Sequence, residues 1–247
     1  MTMHASQACC ETSPAAFADD YASKGTYETY SNIRCYVTGP RNAKKAIYYI
    51  YDVFGFQSPT VRGADILSSG GHLVVMPDFF DGKPMKPEWF ARDTDLNRLD
   101  IANFRKGIAD PKPYIEKVHV VLGELKEAFP TVDKWGAIGY CFGGRIVAVT
   151  SGKGTPWSAA LQISPFRLDA EDAKKVSIPM GLLASKDEPA DAVMAFYEAL
   201  STPKSVETFH TQVHGWMSAR ADLKIPEVKK EYERGYQVTL DFFAEHL

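Results

Sequence analysis

Cys141 stands in the run Gly139-Tyr140-Cys141-Phe142-Gly143-Gly144, with a glycine two residues before it and another two after. An apolar run, Trp135-Gly136-Ala137-Ile138, leads in, and the run from Arg145 to Thr150 that leads out has helical character. Strand, sharp turn and helix, with glycines at these two offsets, make the cysteine form of the nucleophile elbow G-x-S-x-G. The apex of such a turn is strained, so its neighbours need little or no side chain. A thiol held there sits at the N-terminus of the next helix, where the helix dipole and unpaired amides favour thiolate and receive an oxyanion. The chemistry on offer is nucleophilic attack on an acyl carbon. Without partners, a cysteine between a strand and a helix is an inert small hydrophobe, so the reading depends on a base and an acid elsewhere in the chain.

Those partners must be carried by other elements. Residues 33–37 alternate and stop at Gly39-Pro40, as a strand and turn do. Residues 46–51 are continuously apolar or aromatic, as in a central strand covered on both faces. A helix is predicted over 59–69, stopped by Gly70-Gly71, then a buried strand over 72–76. Residues 79–97, with Gly82, Pro84 and Pro87, read as a long connection above the sheet. Asp110-Pro111 opens a helix running to Ala128, and the elbow follows. Strands over 159–163, 178–184 and 205–209 alternate with helices over 189–200 and 226–245. This alternation predicts an α/β fold: a mostly parallel central sheet, helices on both faces and no lid domain. Residues 1–30, polar and rich in small residues, are expected to form a surface arm, with 31–247 as one domain.

In such a sheet, ligands sit at the carboxyl ends of the strands. Four of those ends bring Asp52, Cys141, Ser185-Lys186-Asp187-Glu188 and the stretch from His210 to Trp216. The order nucleophile, acid, histidine is that of α/β-hydrolases. Asp187 is the expected acid, because Glu188 and Asp191 fall further from the strand end and are expected inside the next helix. Of the six histidines, His210, His214 and His246 follow Asp187. His210 is at the strand end and His246 closes the last helix, whereas His214 lies on a loop with Gly215 behind it, free to lean toward sulfur. Phe54, Phe79, Phe80 and Trp216 near these ends suggest an apolar, ring-shaped substrate, with core packing as the equal alternative.

From residue 33 onward the sequence resembles the dienelactone hydrolase family, in its fungal branch, within the α/β-hydrolase superfamily. The resemblance rests on the cysteine elbow, on Lys186-Asp187-Glu188, on His214-Gly215-Trp216 and on Asp52-Val53-Phe54-Gly55. It implies a triad of Cys141, Asp187 and His214, and an oxyanion hole made by the backbone amides of Val53 and Phe142. It also implies carboxymethylenebutenolidase-like cleavage of a lactone or carboxylic ester through an acyl-cysteine. Asp52 stands where bacterial members carry a glutamate that holds the resting thiol proton, which implies a thiol switch at Asp52. Of the two arginines that bind the substrate carboxylate in those members, the first is replaced by Gly82, and Arg220, six residues past His214, loosely matches the second. One alternative is a tailoring enzyme of secondary metabolism acting on a polyketide-like lactone or thioester. Another, from a different class, is a thiol sensor or ligand-binding protein, for which a triad would be superfluous.

Composition narrows the partners. A net charge of −3 gives no reason to expect nucleic acid or an anionic membrane, and no apolar run approaches the ~20 residues of a membrane span. The four cysteines include no C-x-x-C pair, which points to a reducing, cytoplasmic setting. Cys9-Cys10 with His4 lacks the spacing of metal ligands. The expected partner is a small-molecule lactone or ester, with no metal or organic cofactor, and the expected state is a monomer or homodimer.

Overall fold

Eight strands form one sheet: β1 (Thr26–Tyr30), β2 (Ile33–Thr38), β3 (Lys45–Ile50), β4 (Leu73–Pro77), β5 (Lys134–Tyr140), β6 (Ala159–Ile163), β7 (Met180–Ser185) and β8 (Lys204–Phe209). The computed structural model describes residues 13–14, 21–90 and 93–247. His4, Cys9, Cys10 and most of the expected arm lie outside the described residues. The spatial order is β1-β2-β4-β3-β5-β6-β7-β8. The pairings β1·β2 and β2·β4 are antiparallel, and every pairing from β4·β3 to β7·β8 is parallel. The strands in the middle are apolar almost throughout because both faces are covered. β1 and β8, at the two edges, mix exposed and half-buried positions.

The helices are α1 (Ser58–Ser68), α2 (Asp95–Ala109), α3 (Lys112–Ala128), α4 (Phe142–Thr150), α5 (Ala170–Ala173), α6 (Ala190–Ala199) and α7 (Pro226–His246). Proline stands in the first turn of α1 and α7, where its missing amide costs nothing. In α7 the buried residues Tyr232, Tyr236, Thr239 and Phe243 recur at three- and four-residue steps, one face of a helix. Among the described residues no helix is long and apolar enough to cross a membrane.

Two elements differ most from the sequence expectation. The arm ends sooner than residue 30: β1 pairs with β2 from Thr26 opposite Val37 to Tyr30 opposite Ile33. The turn between them is Ser31-Asn32, with φ of 50° and 60°, the geometry of a tight hairpin usually marked by Asn-Gly or Asp-Gly. The second difference is α2, a helix within and beyond the expected connection. Thr94 caps it, its hydroxyl accepting from the Asn97 amide at 3.2 Å. Ile108 is its one buried residue, so α2 offers almost no apolar period to read.

The register fixes the site. Ile50 lies beside Gly139, Tyr140 beside Ile163, and Ser185 beside Phe209. The carboxyl ends of β3, β5, β7 and β8 therefore finish along one edge, and the loops that leave them meet.

Candidate active site

Cys141 has φ 53° and ψ −110°, a conformation L-residues rarely adopt. Holding it costs about 1–3 kcal/mol, which the surrounding contacts must offset. The Cys141 amide donates to the Ile163 carbonyl at 3.0 Å, and its carbonyl accepts from the Phe166 amide at 2.9 Å and the Gly144 amide at 3.1 Å. The flanking glycines are required by close approach. A Cβ on Gly139 would stand 2.1 Å from the Gly143 carbonyl oxygen, and one on Gly143 would stand 2.2 Å from that of Ile50. Cys141 is thus pinned between β6 and α4, buried, and not in a disulfide.

His214 comes from the loop after β8, and its ring nitrogen Nδ1 lies 2.6 Å from Glu188 Oε1. Both side chains are 1% exposed, so water does not weaken the contact. Nε2, the other ring nitrogen, is buried with no hydrogen bond of good geometry, and Cys141 lies near enough for its charge to act on the ring. Burial pulls the imidazole's pKa down. The charge and hydrogen bonding of Cys141, and then of Glu188, override it, so the pKa is raised above the ordinary histidine value.

The carboxylate on the ring is therefore Glu188, where Asp187 was expected. α6 begins at Ala190, so Glu188 lies in the turn before the helix, not inside it. From there its side chain folds back, with Oε2 accepting from the Ser185 amide at 2.5 Å and Oε1 reaching the ring. Asp187 is also drawn in, but to the backbone: its Oδ2 accepts from the His214 amide at 2.7 Å. The sequence signal for Glu188 was Pro189. Proline favours the start of a helix and disfavours helical backbone in the residue before it, which leaves Glu188 outside.

Asp52 is buried at the end of β3, and both its oxygens are engaged. Oδ1 accepts from the Phe54 amide at 2.9 Å; Oδ2 accepts from the Ser218 hydroxyl at 2.6 Å and the Ala219 amide at 3.0 Å. Arg220 joins the same loop: its Nη1 donates to the His214 carbonyl at 3.1 Å, and its guanidinium lies 5.5 Å from the centre of the Phe54 ring. Ser218 carries no signal in the sequence, because a lone hydroxyl makes no pattern.

The expected substrate aromatics divide. Trp216 is fully buried, its ring centre 4.2 Å from that of Phe209 with the planes tilted by 32°, and a Cβ on Gly235 would touch its ring at 2.4 Å, so it packs between β8 and α7. Phe79 and Phe80 pack on Phe142 at 6.4 and 5.2 Å between ring centres. With Phe104, Ile108 and Tyr114 they also line a cavity of about 380 Å³. Phe54 is buried against Phe90 and the Arg220 guanidinium. Core packing accounts for Trp216, whereas Phe79 and Phe80 touch the elbow through Phe142. Among the described residues no group of three or more His, Cys, Asp or Glu side chains is placed to hold a metal ion.

A mostly parallel sheet with a cysteine elbow, a buried histidine and a carboxylate behind it defines an α/β-hydrolase. The pattern of the dienelactone hydrolase family matches residues 33–247, and the chain belongs to that family as an ester or lactone hydrolase. An AIM2 family protein of Schizosaccharomyces pombe is 31% identical, over 95% of this chain and 97% of its own. A carboxymethylenebutenolidase homolog of Xenopus tropicalis is 29% identical over 92% and 93%. Among solved structures, the dienelactone hydrolase of Anabaena variabilis superposes with a TM-score of 0.66 at 11% identity, covering 92% of this chain and 98% of its own, a likeness of fold.

Proposed function

We propose that the protein hydrolyses a lactone or carboxylic ester through an acyl-cysteine on Cys141, with His214 carrying protons and Glu188 holding the imidazole. The observation that carries this reading is the buried line of carboxylate, imidazole and sulfur, with Glu188 2.6 Å from Nδ1 and the thiol at a strained turn. An inert cysteine needs neither the strain nor a buried histidine.

The sulfur attacks the acyl carbon, and the carbonyl electrons move to oxygen. The amides of Phe142 and Val53 are the proposed donors to that oxyanion. Phe142 opens α4, whose first amides have no acceptor within the helix. Gly143 rests on the Ile50 carbonyl, which brings the segment after β3 beside α4 and supports Val53 as the second donor. His214 gives the leaving oxygen a proton and then takes one from water. Glu188 keeps a proton on Nδ1 and stabilises the imidazolium between those steps. Thiolate is itself a good leaving group, so esters, lactones and thioesters suit this site, and unactivated amides do not. A relative named as a carboxymethylenebutenolidase homolog supports a lactone as the substrate.

A panel of aryl esters and lactones tests the reading, with Cys141→Ala as control. Turnover by the wild type and none by a folded Cys141→Ala protein is the expected result. No turnover of any ester or lactone, together with reversible oxidation of Cys141, would replace the hydrolase by a thiol sensor.

A further inference from the structure

We propose that Tyr236 is a positioning residue for the reaction: from α7 its hydroxyl holds the backbone of the histidine loop, and with Tyr49 it ties that loop to the strands behind the elbow. The proposal rests on the reading of Cys141 and His214 as the reacting pair and adds a residue that acts through the loop alone.

The first observation is a chain of contacts. The Tyr236 hydroxyl donates to the Met217 carbonyl at 2.9 Å, three residues past His214. Both residues are fully buried, so no water can take the place of the bond. A tyrosine hydroxyl carries one hydrogen, and here it goes to a carbonyl. The Tyr49 hydroxyl, 3.3 Å away, therefore donates to the Tyr236 oxygen. Tyr49 stands in β3, and its ring stacks on that of Tyr140 with centres 4.6 Å apart and planes 18° from parallel. Tyr140 ends β5, directly before Cys141. The contacts from Tyr140 to Tyr49, Tyr236 and Met217 thus run unbroken from the residue before the thiol to the loop of the imidazole.

The second observation is the room made for this contact. A Cβ on Gly63 of α1 would stand 1.8 Å from the Tyr236 hydroxyl oxygen. One on Gly235 of α7 would stand 2.4 Å from the Trp216 ring and 2.6 Å from the Met217 sulfur. Glycine is a poor residue inside a helix, and at these two positions any side chain would push the tyrosine or its helix off the loop.

The bond falls where the loop needs it. Asp187 holds the His214 amide and Asp52 the Ala219 amide. Met217 lies between these anchors. Without the Tyr236 bond that stretch is released, and the His214 ring at its start shifts with it. A misplacement of about 1 Å in a reacting group, caused by a change far from the chemistry, can cost about 10²-fold in rate.

α7 supplies the control for the test. Tyr232, one turn earlier and equally buried, donates its hydroxyl to the Pro59 carbonyl at 2.6 Å, in α1 and not in the histidine loop. Tyr232→Phe and Tyr236→Phe therefore remove the same atom from the same helix. Steady-state kinetics on an aryl ester, well below both melting temperatures, separate them. Tyr236→Phe should lower kcat about 10–100-fold with KM within about twofold, the split expected of a displaced base. Tyr232→Phe should leave kcat within about twofold, and each variant should lose a few degrees of Tm for its orphaned carbonyl. If Tyr236→Phe does not fold, the double variant Tyr49→Phe with Tyr236→Phe, which leaves no orphaned hydroxyl, should show the same loss of kcat. A kcat for Tyr236→Phe within about threefold of wild type, an equal kcat loss in Tyr232→Phe, or a rise in KM alone would overturn the proposal. Full turnover by His214→Ala would instead overturn the catalytic reading on which it rests.

Discussion

The elbow and the histidine loop meet at one sulfur but are built in opposite ways. The elbow is local: Gly139, Cys141 and Gly143 lie within five residues, and their shape is set by contacts with Ile50 and Ile163 in neighbouring strands. The histidine loop, which follows β8 and runs to Arg220, is assembled from afar. Its histidine is positioned by Glu188 and Asp187, 26 and 27 residues back, and its downstream end by Asp52, 166 residues back. The elbow stores strain in the backbone, where no side chain can substitute for the glycines. The loop is held by hydrogen bonds to carboxylates, where adjacent side chains can exchange tasks. The thiol's place is fixed by sterics and the imidazole's by electrostatics, so the two should fail differently.

The largest expected effect is at the elbow's apex. Cys141→Ala should lower turnover of an activated ester by at least about 10⁴-fold, with an unchanged melting temperature or a higher one from relieved packing, as loss of a nucleophile does. Turnover within tenfold of wild type would remove sulfur from the mechanism.

The pair Glu188→Gln and Asp187→Asn sharpens the comparison most. Glu188→Gln should cost about 10³–10⁴-fold in kcat, because the neutral amide no longer fixes the tautomer or stabilises the imidazolium. Asp187→Asn should cost about tenfold, since an amide oxygen still accepts from the His214 backbone. The reverse order, read from steady-state kinetics, would return the triad to the acid the resemblance implies.

Gly143→Ala tests the steric half. A Cβ 2.2 Å from the Ile50 carbonyl forces a backbone shift, and stability should fall by about 3 kcal/mol or more in chemical denaturation. A loss under about 1 kcal/mol would mean the turn has room to spare. The smallest effect is expected at Trp216. Trp216→Phe should leave KM for any ester within about twofold while costing about 1–3 kcal/mol of stability, because the ring packs on Phe209 and α7. A several-fold change in KM at constant stability would restore Trp216 to the substrate.

What could be read in advance follows the same division. The parallel strands were legible because burial on both faces leaves near-continuous apolar runs, as in β3 and β4. β1 and α2 were not: one is an edge strand closed by an unmarked Ser-Asn turn, and the other buries Ile108 alone. Within the site, chain order points to His214 as the candidate base. Distance from the strand end favours Asp187, but Glu188 has the longer side chain and stands before α6, which begins at Ala190.

By itself the sequence determined the elbow and the chain order of cysteine, acid and histidine, and hence the α/β-hydrolase class. These are set by residue types at short fixed offsets, where covalent geometry leaves few outcomes. Only the tertiary structure decided which carboxylate meets the imidazole and what Asp52 holds. Glu188 and Asp187 are neighbours of the same charge, and no offset along the chain tells which one a loop returning from β8 will meet. That choice belongs to hydrogen bonds made across the fold, from Ser185 to Glu188, from His214 to Asp187, and from Ser218 to Asp52.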